Sequence, residues 1–529
     1  MKNDNDLKLL DCTLRDGGYV NDWNWGFHCA QNIIKNLSSA NIDIVEVGFL
    51  RNVENYNADV TVCNDIDELN RLLPQDSSRY ATMYSAMAMR SNYDIRKLKP
   101  YSGSGIQMIR ITAHDYDIKE GMDFARMVKE RGYLLSVNPI NIMGYSDRDI
   151  LWLMDQINDI QPYQFSIVDT FGSMKRRDLE RIVSMVDHNL SRNIRVALHL
   201  HENMSLSCCL AQNFIDFHLN RPVAVDGSLL GMGRIPGNLP IELIADYVNE
   251  YASGKYHLDY LLDAIQDYII PLKGENNWGY TLAYFLSARF NLHRNYAEYY
   301  LGKGDLTNKD INAIFASFDS RKKSCFDSSY ADQCYFEFKQ ANKNKPKNVE
   351  QLKAEVQDKE ILLIAPGSSI RKYSDKIKAF IEKNNPIVIS LNFATDLFRT
   401  DYVFISNNKR SQQLKKVNCK VIVTTDVDIV FADYSLDVSA LREKLGENGN
   451  SLVLVLHLLQ EFNVKRCVLA GADGYDPTEC NYYSSYIRNY KEHDNMYNQV
   501  ISSELEKIEV PLSSLTPSRY GFLEGKQDV

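Results

Sequence analysis

Two histidines one residue apart, His199 and His201, lie in an apolar run, 195-RVALHLHEN-203, and Asp16 follows another, 7-LKLLDCTL-14. In a strand, residues i and i+2 face the same way, so the H-L-H spacing aims both imidazoles into one space. By itself such a pair is more often a surface feature. Joined by a carboxylate, it becomes a borderline-hard donor set suited to a divalent ion, Mn²⁺, Mg²⁺, Co²⁺ or Zn²⁺. A metal site built from Asp16, His199 and His201 is therefore the first expectation.

These residues must be brought together by elements far apart in sequence. Eight β-rich runs punctuate the first ~240 residues. They are 7-LKLLDCTL-14, 42-IDIVEVGF-49, 80-YATMYSAM-87, 107-QMIRITAH-114, 134-LLSVNPIN-141, 164-QFSIVDTF-171, 195-RVALHLHE-202 and 222-PVAVDGSL-229. The segments between them mostly carry helical spacing, as with Ala30, Ile33, Ile34 and Leu37 on one face of 28-HCAQNIIKNLSSAN-41. Near-continuous apolar strands alternating with helices predict a parallel sheet covered on both faces. Eight such units predict a (β/α)₈ TIM barrel over residues 1–257, with a doubly wound open sheet as the alternative. Arg15-Asp16, Glu46, His114, Asn138, Asp169-Thr170 and His199-His201 all fall at strand ends, which share one face in a barrel.

Composition narrows the function classes. The 529 residues are 44% hydrophobic and 24% charged with a net charge of -9, values of a folded globular chain with no global attraction for nucleic acid. No signal-peptide pattern opens the chain, and its longest apolar runs fall far short of the ~20 residues that span a bilayer. The ten cysteines form no C-x-x-C pair, which favours reduced thiols and a cytoplasmic protein.

The runs 11-DCTLRDGG-18, 46-EVGF-49, 168-VDTFG-172, 199-HLHEN-203 and 231-GMGRIPGN-238 together resemble the metal-dependent aldolase and condensing-enzyme (HMG-CoA lyase-like) superfamily. The resemblance covers roughly residues 7–300 and is nearest to 4-hydroxy-2-oxovalerate aldolase. It implies Asp16, His199 and His201 as metal ligands, with Mn²⁺ or Mg²⁺ foremost, and Asn238 as a further ligand found in the lyase branch. It also implies that Arg15 stabilises an enolate oxygen and that Thr170 lines the substrate site. Its chemistry is the making or breaking of a C–C bond between a 2-oxo acid, pyruvate foremost, and an aldehyde. A divalent ion polarises the ketone, and a permanently charged planar guanidinium adds a second contact to the oxygen. The alternatives are an acyl-CoA-dependent Claisen enzyme and a non-catalytic metal- and nucleotide-binding protein.

The chain departs from the aldolase pattern three residues after the ligand aspartate, where Tyr19 replaces a histidine. An unperturbed phenol titrates near ~10, poorly matched to general-base work at neutral pH. Tyr19, lowered by a metal or by Arg15, or else His28 or His114, is then the candidate base. Glu46 reads either as a group behind the metal or as a rim salt bridge. The loop 231-GMGRIPG-237 reads as a turn before it reads as a phosphate cradle.

Residues 258–338 read as a helical, aromatic extension, and the lysine-rich stretch 339–359 as a linker. Over 360–529 a second α/β unit of Rossmann-like character is expected, with strands at 360-EILLIAPG-367, 386-PIVISLNF-393, 401-DYVFISN-407, 419-CKVIVTTD-426 and 466-RCVLAGAD-473. The turn 363-LIAPGSSI-370 offers Gly367 for close backbone approach and serines to cap a helix, leaving N–H groups for a phosphate. With 391-LNFATD-396, 450-NSLVLVLHLL-459 and 469-LAGADGYD-476 it resembles the sialyltransferase-like domains of bacterial surface-glycan proteins. That resemblance implies a nucleotide or nucleotide-sugar pocket lined by Gly367, Ser368 and Asn392, with Asp473 at the sheet edge, and a role in surface-polysaccharide sugar biosynthesis. The expected partners are small molecules, with neither nucleic acid nor membrane, and a homo-oligomer is the expected assembly.

Overall fold

The structure, a computed structural model, describes residues 6–234, 236–252, 255–275, 278–412, 414, 417–427, 429, 431–446, 449–476, 481–483, 495–523 and 525–526. The chain divides into two compact units, residues 1–295 with 319–326, and residues 296–318 with 327–529.

In the first unit all eight expected strands form: β1 (Leu7–Asp11), β2 (Ile44–Leu50), β4 (Met83–Met89), β5 (Met108–Ala113), β6 (Leu134–Pro139), β7 (Gln164–Asp169), β8 (Arg195–Leu200) and β9 (Val223–Gly227). Each pairs in parallel with the next, and β9 closes on β1 from Leu7↔Val223 to Asp11↔Gly227. The result is a closed eight-stranded TIM barrel. A two-residue strand, β3 (Val62–Cys63), adds to β2 outside the barrel order. The helix Phe27–Ser39 buries Ala30, Ile33, Ile34 and Leu37, the face its periodicity marks.

Inside the barrel the apolar filling is interrupted by buried polar side chains: Glu46, Arg110, Asn138, His199 and Asp226. Two devices set the top of β1. Asp11 accepts from Thr13 N and Oγ1, and Thr13 Oγ1 accepts from Leu229 N. The helical turn Thr13–Gly17, which carries Arg15 and Asp16, is thereby tied to the loop after β9.

The stretch expected as one helical extension divides between the units. Helices Leu258–Ala264, Ile270–Glu275 and Leu282–Ala288 belong with the barrel, whereas Asn308–Ala316 and Ser328–Ala341 belong with the second unit. The segment 339–359 is not a bare linker. Lys347 bridges Ser435, and helix Val349–Val356 buries Leu352 and Val356. Within that helix Glu350 is exposed and Glu355 accepts from the Tyr402 and Tyr434 hydroxyls, an amphipathic arrangement that composition alone reads as a spacer.

The second unit holds a seven-stranded parallel sheet: β10 (Glu360–Ile364), β11 (Ile387–Leu391), β12 (Tyr402–Ile405), β13 (Lys420–Thr424), β14 (Tyr434–Leu436), β15 (Arg466–Ala470) and β16 (Leu512–Ser514). Their order is β14-β13-β12-β11-β10-β15-β16, so the winding reverses between β10 and β15. No described helix is long and apolar enough to cross a membrane.

Candidate metal centre and the barrel mouth

Asp16, His199 and His201 come together at the barrel's C-terminal face. One ligand atom from each lies within 4.8 Å of the other two, and all three residues are buried. His201 Nε2 is 3.7 Å from Asp16 Oδ2. His201 Nδ1 is 3.0 Å from the Asp169 carbonyl oxygen. A carbonyl only accepts, so the proton sits on Nδ1 and the Nε2 lone pair faces Asp16. His199 Nδ1 lies 3.2 Å from Asp226 Oδ2.

Asn238 joins this group. Its backbone bridges His201, its Nδ2 donates to Met232 O at 3.2 Å, and its Oδ1 is buried with no hydrogen-bond partner. A buried amide oxygen without a donor is costly unless something outside the protein satisfies it. Gly233 shows how tight the place is: a Cβ there would stand 2.3 Å from Asn238 Nδ2 and 2.9 Å from Asp16 Oδ2. Two imidazoles, a carboxylate and an orphaned amide oxygen fit a divalent ion.

Arg15 stands beside this set. Its Nη1 donates to Asp16 and its Nε to Glu46 Oε2 at 2.7 Å, while Nη2 makes no hydrogen bond to the described residues. Glu46 is fully buried and also accepts from Arg110 Nη1 at 3.1 Å, so it is an internal brace rather than a rim salt bridge. Arg110 Nη2 continues to Asn138 Oδ1 at 3.0 Å and to Asp226. In this chain from Arg15 to His199, the carboxylates of Asp16, Glu46 and Asp226 outnumber two guanidiniums, leaving one negative charge for a cation.

The ionisation of the group follows. Burial acts to raise the Asp16 carboxyl, but Arg15 and the two histidines outweigh it and hold it well below the usual range. Burial keeps His199 neutral by lowering its imidazole. Asp169, whose carboxylate accepts from Ser173 N and Met174 N, is raised by burial to about 6. Glu202, next to His201, is raised by burial to about 7.

The other expected residues fall in different places. Thr170 accepts from Asn141 N at 2.7 Å through its hydroxyl, at the end of β7. Tyr19 is at the mouth, 36% exposed, and its hydroxyl accepts from Arg51 Nη2 at 3.2 Å. His28 is exposed on the first turn of its helix with Phe27 as its ring neighbour, and no described contact joins it to the cluster. His114 stacks on Tyr116, and burial lowers its imidazole. The loop 231–237 is a turn around Asn238, with Asn238 N donating to Gly231 O, and its Ile235 lies outside the described residues.

In the second unit, Gly367 and Asn392 line a cavity of about 1430 Å³ at the C-terminal ends of β10, β11, β12 and β15. Ser368 is not among its lining residues. The turn differs from a phosphate cradle. Gly367 N donates to Gly471 O, and Ser369 N donates to Asp473 Oδ2 at 2.8 Å, so these N–H groups are already used. A Cβ at Gly367 would lie 2.3 Å from Gly471 O, so the glycine serves a close approach between β10 and β15. The Asn392 amide is likewise engaged, with Ser406 and Ser451.

Sequence reasoning missed Arg110 and Asp226, which link the metal set to Arg15. The signal was present: each is a lone charge inside an apolar run, 107-QMIRITAH-114 and 222-PVAVDGSL-229.

The HMGL-like family model matches residues 6–266. The chain is similar to an oxaloacetate decarboxylase of Mycobacterium tuberculosis, 22% identical over 48% of this chain and 74% of that protein. It is also similar to a 4-hydroxy-2-oxovalerate aldolase of Thermomicrobium roseum, 25% identical over 50% of this chain and 73% of that protein. A solved HMG-CoA lyase from Bacillus subtilis matches 53% of this chain and 96% of its own at 14% identity, with a TM-score of 0.42.

Proposed function

From a barrel half that is HMGL-like, a grouping related to aldolases and lyases, we propose that this chain is a divalent-metal-dependent aldolase. It forms or cleaves a C–C bond between a 2-oxo acid, pyruvate foremost, and an aldehyde. The observation that carries this reading is the buried Asp16, His199 and His201 set with the orphaned Asn238 Oδ1 beside it and Arg15 alongside. A divalent ion held by these residues, Mn²⁺ or Mg²⁺ foremost, would supply Lewis-acid polarisation of the ketone.

The chain's own residues do the rest. Glu46 and Asp16 fix the Arg15 guanidinium through Nε and Nη1, leaving Nη2 to donate to a developing enolate oxygen. His201 is locked by Asp169 O and His199 is flanked by Asp226, so neither imidazole must reorganise during reaction. Thr170 and Tyr19 present hydroxyls from the ends of different strands, and Tyr19 takes the place of the histidine base.

The second unit is proposed as a Rossmann-like holder of a nucleotide-linked sugar, so that the aldol chemistry builds a higher-carbon sugar for a surface polysaccharide. Its support is the cavity, which Arg410 and the rings of Tyr475, Tyr482, Tyr497 and Tyr520 line at the reversal of the sheet. No two of the nine described cysteines form a disulfide, in keeping with a reducing cytoplasm.

The test of the barrel reading is deuterium exchange into the methyl group of pyruvate, followed by NMR in D₂O with Mg²⁺. It needs no aldehyde, because enolate formation alone exchanges the protons. Metal-dependent exchange that vanishes in Asp16→Asn is expected; metal binding without exchange would rule out pyruvate as the donor. Absence of any thermal shift with CMP-, UDP- and GDP-linked sugars would remove the second unit's reading.

A further inference from the structure

The four fully buried arginines of the barrel unit each have a carboxylate partner: Arg15 with Glu46, Arg110 with Asp226, Arg195 with Asp6 and Arg221 with Asp187. Two arginines at the mouth do not follow this pattern. Arg51 begins the loop after β2, and Arg234 lies in the loop after β9. Among the described residues neither guanidinium is in a salt bridge, within 4.0 Å of a carboxylate.

Both instead lie against one ring. The guanidinium carbons of Arg51 and Arg234 are each 5.8 Å from the centre of Tyr19. Arg51 also packs over Trp23 at 4.6 Å and Phe49 at 4.0 Å, and its Nε is buried without a hydrogen-bond partner. Arg234 is steadied by His293, whose Nε2 lies 3.0 Å from its Nη2. Burial and the nearby guanidiniums push His293 down to about 4, so at neutral pH it accepts from Arg234 rather than repelling it. The backbone N of Arg234 donates to Asp16 Oδ2 at 3.4 Å, which ties its loop to the metal set.

Stacked guanidiniums are held in fixed planes, and a planar fork of donors matches a carboxylate or phosphate. Resting on the aldolase reading above, we infer that Arg51 and Arg234 form an anion-binding rim, and that the aldehyde acceptor carries a carboxylate or phosphate group. The reaction balances without a further reactant. The pyruvate methyl carbon loses a proton and bonds to the aldehyde carbon, and the aldehyde oxygen takes up a proton.

The full-length Mg²⁺-loaded protein is assayed first for pyruvate exchange, then for aldol addition of pyruvate to glycolaldehyde phosphate, succinic semialdehyde and propanal. One of the two anionic aldehydes is expected to exceed propanal at least tenfold in kcat/KM, and which one tells phosphate from carboxylate. Arg51→Gln and, separately, Arg234→Gln should erase most of that preference through KM, while Arg51→Lys keeps part of it. Exchange accompanied by a preference for propanal would overturn the rim and leave the aldolase reading intact. No exchange would remove pyruvate as the donor and overturn the inference with it. Thiol release from acetyl-CoA in the presence of a 2-oxo acid would assign the arginines to a CoA phosphate and also overturn the inference.

Discussion

Arg15 and Arg110 meet at a single atom: Glu46 Oε2 accepts from Arg15 Nε at 2.7 Å and from Arg110 Nη1 at 3.1 Å. Two guanidiniums with almost no access to water are held by one carboxylate between them. Removing that charge while keeping the shape, in Glu46→Gln, takes the shared counter-charge from both cations and leaves each with a single carboxylate, Asp16 or Asp226. Breaking a buried pair of this kind costs about 3–5 kcal/mol. Urea denaturation is expected to show a loss of that size, with pyruvate exchange abolished as Arg15 drifts. A variant within 1 kcal/mol of the parent would show that Glu46 is not the counter-charge.

Gly233 offers a way to disturb the metal set without touching a ligand. In Gly233→Ala the new methyl would press on the Asn238 amide and the Asp16 carboxylate. Displacing a ligand's support typically costs about 10–100-fold in metal affinity. Titration with Mn²⁺, followed by electron paramagnetic resonance, should show a loss in that range with the far-UV spectrum unchanged. Parental affinity would mean that Asn238 and Asp16 do not act together on the ion.

His293 gives the barrel a pH signature. Its folded imidazole is pushed by burial and by Arg234 to about 4, from an ordinary value of 6.5. The unfolded chain therefore takes up a proton first as pH falls, and the unfolded state gains. The stabilisation is complete above pH 6.5 and is lost as the pH drops toward 4. Allowing for partial exposure, its size is about 1–2 kcal/mol. His293→Gln, which can still accept from Arg234, should lose less stability than the parent between pH 6.5 and 4. Parallel stability curves would refute this.

Leu352 tests whether residues 339–359 belong to a folded unit. The side chain is 2% exposed and packs in the second unit's core beside Val356 and Ile361. Leu352→Ala should lower that unit's stability by about 2–5 kcal/mol, as large-to-small core changes do. Limited proteolysis should then cut within the second unit at a lower temperature. An unaffected protein would return the segment to the role of a spacer.

How much of this could be read from the chain depends on what each feature needs. The eight barrel strands are long, apolar and evenly spaced, so their existence follows from burial on both faces. The meeting of Asp16 with His199 and His201 follows from barrel closure and strand alternation. Strands β3, β14 and β16, of two or three residues each, are too short to carry a period. The brace through Arg110 and Asp226 was hidden for a different reason: a single charge in an apolar run reveals its partner only once the register is known. At Gly367 the local pattern misled, because the N–H groups of a small-residue turn look alike whether they meet a ligand or, as with Ser369, a carboxylate of their own protein.

The strip 319–326 belongs with the barrel although the chain on both sides of it belongs with the second unit. Within the first unit it supplies Lys323, whose carbonyl accepts from His293 N, and Ser324, whose hydroxyl lies 3.5 Å from Asn141 Nδ2. A gene fragment ending at any codon from 296 to 318 would therefore encode a barrel missing part of its own rim. As pieces of inheritance the two halves are interlocked: an exchange of the second unit between relatives by one crossover would break the first, whereas three crossovers, one before residue 296 and one at each end of the strip, would not.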